Sequence, residues 1–265
     1  MKIGFIGLGN MARAMIGGML EKEMVQAADI IGSAKTKKTL EAVHETYGIA
    51  VTDSNRTVAE QVEVLVLAVK PQFLGEVIAE IRAVLPEDTL VISIAAGKSL
   101  TWLEEAFGKW VKLVRFMPNT PALVGEGCTG ICVNDAVSQE EQAYSLQLAE
   151  SFGKGDFVEE RLMDAVGAVS GSSPAYVFLF MEAMADAGVA AGLPRKKAYE
   201  FAAQAVCGSA KLMLKTGSHP GELKDMVCSP GGTTIEGVRI LEERGFRGEE
   251  ISVVNLSINI GFLIV

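Results

Sequence analysis

An α/β half followed by an all-α half is the architecture this 265-residue sequence predicts. Three observations carry it. Up to about residue 158, short β-rich runs alternate with helical periodicity. A glycine-rich turn marks the first strand–helix junction. From about residue 160, strand-like runs vanish, and Ala, Leu, Met and Val recur at helical spacing. Strand–helix alternation of this kind builds a mostly parallel sheet covered by helices on both faces.

Each element has its own justification. Residues 2–6 (KIGFI) read as a strand, followed by Gly7, Gly9 and a helix to about Lys22. Ile30–Ser33 is a second strand. Val64–Val69 (VLVLAV) is an unbroken apolar run, the mark of a strand buried on both faces. Pro71 then stands at a helix start, and Leu74, Val77, Ile78 and Ile81 recur at helical spacing. Thr89–Ala95 and Val111–Met117 are further strands. In the second half the helical segments are 161–169, 174–191, 195–215 and 233–244. Ser172 or Ser173 is positioned to cap the helix that Pro174 opens, and Ser218 with Pro220 marks another start. The expected division is 1–158 and 159–265. The helices at 174–191 and 195–215 are apolar over much of their circumference. A helix of that kind must be buried all round, so they are expected to pack against a second subunit. From Val254 to Phe262 apolar and small or polar residues alternate, a strand's period of two.

Composition narrows the classes. Hydrophobic residues make up 49% and charged residues 22%, so the chain is not disordered. The 33 acids exceed the 24 bases by nine, which disfavours non-specific nucleic-acid binding. No uninterrupted apolar run reaches the ~18 residues of a membrane span, and no signal-peptide order opens the chain. Cys128, Cys132, Cys207 and Cys228 form no C-x-x-C pair, and neither His44 nor His219 lies near them. No metal site and a reduced, cytoplasmic protein are expected.

Gly7-Leu8-Gly9-Asn10-Met11-Ala12 is G-x-G-x-x-A between a strand and a helix. The first glycine permits the turn, the second lets backbone approach a pyrophosphate, and Ala12 keeps helix and sheet close. The helix start then offers free N–H groups to phosphates. Dinucleotide binding is expected. An NAD-type acid is sought ~20 residues on, but Asp29 there opens the second strand. The strand's tip carries Ser33-Ala34-Lys35-Thr36-Lys37-Lys38, a hydroxyl and cations without an acid. That suits a 2′-phosphate, so NADPH is expected, with NADH as the alternative. Two further segments stand at strand ends, where open α/β sheets bind ligands: Ala68-Val69-Lys70-Pro71 and Met117-Pro118-Asn119-Thr120-Pro121. Lys70 reads equally as a phosphate contact or a solvated strand-end cation.

In the second half, Ser229-Pro230-Gly231-Gly232-Thr233-Thr234 feeds a helix start near Thr233. Backbone N–H groups and two hydroxyls there suit a small anion such as a carboxylate. Val169–Tyr176 is a similar small-residue loop. His44 reads as a surface residue and His219 as a turn residue, so no histidine acid–base relay is expected. No G-x-S-x-G nucleophile motif is present.

These segments together resemble the pyrroline-5-carboxylate reductase family of proline biosynthesis. The residues are GFIGLGNMA at 4–12, LAVKPQ at 67–72, RFMPNTPALVGEG at 115–127, DAVGAVSGSSPAY at 164–176, AGLPRKKA at 191–198 and SPGGTTIEGV at 229–238. The resemblance implies a Rossmann-like NADP-binding domain, then an all-α dimerisation domain whose dimers often assemble further, up to decamers. It implies cofactor contacts from Gly7, Leu8, Gly9, Asn10, Met11, Ser33, Lys35, Asn55, Ala68, Val69, Lys70, Pro71, Ala96 and Asn119. It implies a substrate-carboxylate site at Ser229, Gly231, Gly232, Thr233 and Thr234, offered by the partner subunit, with Thr234 nearest the ring nitrogen as the catalytic residue. The implied reaction is reduction of 1-pyrroline-5-carboxylate to L-proline. The resemblance runs to Arg247; residues 249–265 depart from the family's charged amphipathic helix. Two other readings stay open from the sequence. A 3-hydroxyisobutyrate-type dehydrogenase would need Lys211 or Lys215 as its catalytic lysine and leaves SPGGTT unexplained. A non-catalytic NADP-sensing regulator would bind the nucleotide without turnover.

Overall fold

The computed structural model describes residues 1–263, and side chains through Ile258. Two compact units form, Met1–Ser172 and Ser173–Leu256.

In the first unit, β1 (Ile3–Ile6), α1 (Asn10–Glu21), β2 (Ile30–Ser33), α2 (Lys37–Tyr47), β3 (Ala50–Thr52), α3 (Asn55–Ala59), β4 (Val64–Leu67), α4 (Pro71–Ile81), β5 (Leu90–Ser93), α5 (Leu100–Phe107) and β6 (Lys112–Met117) alternate. Then follow β7 (Gly127–Val133), α6 (Gln139–Glu150), β8 (Gly153–Phe157) and the single turn α7 (Met163–Val166). The sheet order is β3-β2-β1-β4-β5-β6-β7-β8. Neighbours run parallel throughout, except that β7 is antiparallel to β6. The first six strands thus follow the 3-2-1-4-5-6 order of doubly wound dinucleotide-binding sheets. Period-two geometry sends the central strands' side chains to both faces. Val64 and Val66 of β4 enter one apolar cluster with Phe5, Met15 and Phe116. Leu65 and Leu67 enter the other with Leu74, Ile78 and Phe107.

The second unit holds α8 (Ser173–Ala190), α9 (Arg195–Thr216), α10 (Pro220–Val227), α11 (Thr233–Glu243) and much of α12 (Phe246–Leu263). Among the described residues, no helix is long and apolar enough to cross a membrane.

Several local expectations need correction. The strand-like tail is helical, within α12. The period of two misleads because Ile251, Val254 and Ile258 also stand at i, i+3 and i+7, one helix face. The segment 161–169 is not one helix. A 3₁₀ turn (Glu160–Leu162) leads into α7 and then a π-helical turn, Gly167–Ser172. Since α8 runs on from that turn, neither Ser172 nor Ser173 serves as its cap. At α10 the cap is His219, whose Nδ1 accepts from the Gly221 N–H at 3.1 Å.

Candidate active site

The carboxyl ends of β1, β2, β4, β5 and β6 carry the first group of candidate residues. Gly7 follows β1 with φ +97°, and its N–H donates to the Ser33 carbonyl at 3.0 Å. A Cβ there would meet the Ala68 carbonyl oxygen at 2.6 Å, so both conformation and space demand glycine. Gly9 is the N-cap of α1, and a Cβ on it would point into open space. No side chain caps α1, and its first turn holds no acid. An open cradle beside bare N–H groups at the positive end of a helix dipole fits a pyrophosphate. Arg13 also reaches back, with Nε donating to the Leu8 carbonyl at 3.1 Å; the sequence reading did not single it out.

At the tip of β2, Ser33 is 1% exposed, and its hydroxyl donates to Asn55 Oδ1 at 2.8 Å. Asn55 opens α3, and its Nδ2 donates to Glu80 Oε2 at 2.7 Å. Lys35 is exposed, with Nζ 4.8 Å from the centroid of the Phe73 ring, which keeps a cation at this tip. Asp29 closes a 3₁₀ turn at the other end of β2. Glu80 is therefore an acid the sequence reading missed. It comes from α4, twenty-five residues beyond Asn55, and no local pattern announces it.

Lys70 is the N-cap of α4, with Pro71 in the first turn, and its side chain is exposed. Ala68 and Val69 are half-buried, and Ala96 after β5 is exposed. Asn119 after β6 is nearly buried. Its Oδ1 accepts from the Cys128 N–H at 2.8 Å, and its Nδ2 donates to the Ser170 carbonyl at 3.0 Å. Pro118 and Pro121 flank this brace. It takes up a carbonyl of the π-helical turn, where the regular helix ladder is broken. An ion pair between buried Arg115 and partly exposed Glu160 anchors the same stretch, and Glu160 Oε1 also accepts from the Leu100 N–H at 2.6 Å. Cys132 lies in register with Arg115 across β6 and β7. Burial pushes its thiol up to about 11, against the pull of the guanidinium.

The second group lies in the helical unit. Ser229, Pro230, Gly231, Thr233 and Thr234 are exposed, and Gly232 is half-buried. Gly231 has φ +70°. The Gly232 N–H turns back to the Ser229 carbonyl at 3.0 Å, which closes the loop before α11. No side chain caps α11, and the acid of its first turn, Glu236, is tied to Arg239. The loop thus presents hydroxyls and N–H groups, a donor set suited to a carboxylate. Among the described residues, no cluster of three or more His, Cys, Asp or Glu is placed to hold a metal ion.

Two family models match the chain. Residues 160–259 match pyrroline-5-carboxylate reductase dimerisation. Residues 2–97 match NADP oxidoreductase, coenzyme F420-dependent. The pyrroline-5-carboxylate reductase of Escherichia coli K12 is 49% identical over 253 residues, which cover 96% of this chain and 94% of that protein. The Methanosarcina acetivorans enzyme is 42% identical over 96% of this chain and 94% of its own length. The crystal structure of Plasmodium falciparum pyrroline carboxylate reductase with NADP bound superposes with a TM-score of 0.90. It is 33% identical, over 99% of this chain and 97% of that one. A Mycobacterium tuberculosis 3-hydroxyisobutyrate dehydrogenase, at 15% identity, TM-score 0.53 and coverage of 88% and 71%, shares the fold alone. An uncapped, glycine-led helix start in each unit and these relatives lead to one assignment: the chain belongs to the pyrroline-5-carboxylate reductase family.

Proposed function

We propose that the chain is an NADPH-preferring reductase whose substrate site is completed by a second copy. The coarse activity follows from the family: reduction of 1-pyrroline-5-carboxylate to L-proline with NAD(P)H. The finer reading assigns residues 1–158 to the cofactor and 159–265 to assembly and substrate. The observation that carries it is the pair of uncapped, glycine-led helix starts, Gly7–Met11 before α1 and Ser229–Thr234 before α11.

In this reading Gly7, Leu8, Gly9, Asn10 and Met11 hold the pyrophosphate through backbone N–H groups. Lys35, with Ser33 and Asn55 beside it, faces the adenosine ribose and favours a 2′-phosphate. Ala68, Val69, Lys70, Pro71, Ala96 and Asn119 line the way toward the nicotinamide. When bound, the reduced nicotinamide supplies a hydride. The chain's own work is placement. Ser229, Gly231, Gly232 and Thr233 of a second copy clamp the substrate carboxylate, so one face of the imine ring is presented. Such orientation is a large share of rate enhancement in two-reactant chemistry. A protonated imine is already electrophilic, so no strong acid is required. The Thr234 hydroxyl hydrogen-bonds the ring nitrogen as it becomes an amine.

The fit agrees with a cytoplasmic biosynthetic enzyme that self-associates, as a dimer or, by further assembly, a decamer, with no nucleic-acid or membrane partner. The test is NADPH oxidation with pyrroline-5-carboxylate, with NADH in parallel. Faster turnover with NADPH is expected; a preference for NADH would overturn the role of Lys35. Thr234→Ala is expected to lower kcat/KM about tenfold or more, the size of a lost transition-state hydrogen bond. Unchanged kcat/KM would remove Thr234 from the reaction.

A further inference from the structure

Glu80 lies outside every motif that carries the family resemblance, yet hydrogen-bond polarity gives it a role at the strand tip. At neutral pH a carboxylate only accepts hydrogen bonds. The Asn55 amide therefore gives an Nδ2 hydrogen to Glu80 at 2.7 Å, which turns its Oδ1 toward Ser33. Oδ1 carries no hydrogen, so the Ser33 hydroxyl directs its single hydrogen to it, at 2.8 Å. What remains on the Ser33 oxygen is lone pairs. Lone pairs suit a ribose 2′-hydroxyl, which donates; they oppose a 2′-phosphate, which accepts. Ser33 itself is 1% exposed.

We infer that Glu80 is a specificity-determining residue for the cofactor: acting through Asn55, it withholds the Ser33 hydroxyl from a 2′-phosphate and so limits discrimination in favour of NADPH. The inference rests on the reading that the tip of β2 faces the adenosine ribose. Lys35 supplies the attraction for the phosphate, and the Ser33–Asn55–Glu80 relay restrains it. The charge of Glu80 acts in the same direction, but it is solvent-exposed, where such effects are heavily screened. The polarity of the relay is the larger effect.

The test is calorimetric titration of the full-length protein with adenosine 2′,5′-bisphosphate and with 5′-AMP, which differ only in the 2′-phosphate. The quantity read is the ratio of the two dissociation constants. Glu80→Ala removes the acceptor, and Glu80→Gln offers Nε2 hydrogens to Asn55 Oδ1, so either substitution lets Asn55 turn its Nδ2 toward Ser33. Each is expected to raise the preference for the 2′-phosphorylated nucleotide about tenfold, the effect of one hydrogen bond to a charged group. In the Ser33→Ala background the same substitutions are expected to give no rise. An unchanged or reduced preference overturns the inference. A rise of equal size in the Ser33→Ala background also overturns it, since charge and not hydroxyl polarity would then be at work. If the unsubstituted protein binds neither nucleotide, the reading of the strand tip falls and the inference with it. The NADPH-to-NADH ratio of KM values gives a second readout and is expected to shift in the same sense.

Discussion

The two units solve burial in opposite ways. The amino-terminal unit places both apolar clusters, from Ile3 to Met163, within its own sheet and helices. Of the described residues in the carboxyl-terminal unit, only Ala185, Ala198 and Ala202 are buried. Phe178, Leu179, Phe201 and Leu214 are each more than 60% exposed. Apolar surface on that scale marks an interaction site, and the match to a dimerisation family says what covers it. One half carries a finished core, and the other a core completed by assembly.

The largest expected effect breaks the finished core. Phe116, 1% exposed, is predicted to cost ~3–5 kcal/mol when changed to Ala. Chemical denaturation is expected to show the loss at every protein concentration. Leu179→Glu is expected to leave the sheet unit intact. It should weaken self-association by ~2 kcal/mol, about thirtyfold in dissociation constant. Sedimentation at several concentrations checks this, and activity should fall with the associated fraction. If Leu179→Glu left assembly untouched, the contrast between the units would lose its meaning.

Smaller effects sharpen the contrast inside the first unit. Asn119→Ala leaves the Cys128 N–H and the Ser170 carbonyl without their partner. A loss of ~1–3 kcal/mol is expected in thermal unfolding. The Lys112–Glu141 pair, at 2.8 Å and about a quarter exposed, is the mildest case. Burial alone pushes Glu141 up, but hydrogen bonds from Lys112 and Ser138 prevail and hold it below its usual 4.5. The Glu141 bond lifts Lys112 above 10.5, against burial. Glu141's contribution is present above 4.5 and lost as pH falls through its lowered value. That of Lys112 is present below 10.5 and lost as pH rises through its raised one. Lys112→Met should therefore remove ~0.5 kcal/mol on the plateau between these limits, and less at acid pH.

How far the sequence discloses all this depends on the physics of each element. Strands β4 and β5 are legible because burial on both faces forces an unbroken apolar run. Strands β7 (GCTGICV) and β8 (GKGDF) escape notice because small and polar residues dominate them; their pairing is decided by neighbours. The glycine-led helix starts are legible because backbone geometry restricts the residues there. The Asn55–Glu80 and Asn119–Ser170 bonds are not, since partners 25 and 51 residues apart leave no periodic trace. The tail misleads because a few alternating residues satisfy either period.

Cys132 turns the sheet into a chemical clock. A thiol 5% exposed and pushed up to about 11 yields almost no thiolate at neutral pH. Cys128 and Cys207 are exposed and free. Alkylating reagents will therefore modify Cys128 at once, and reach Cys132 only when β7 parts from its neighbours. The slow phase of labelling then times the opening of the nucleotide-binding half on its own, molecule by molecule, while the enzyme remains assembled.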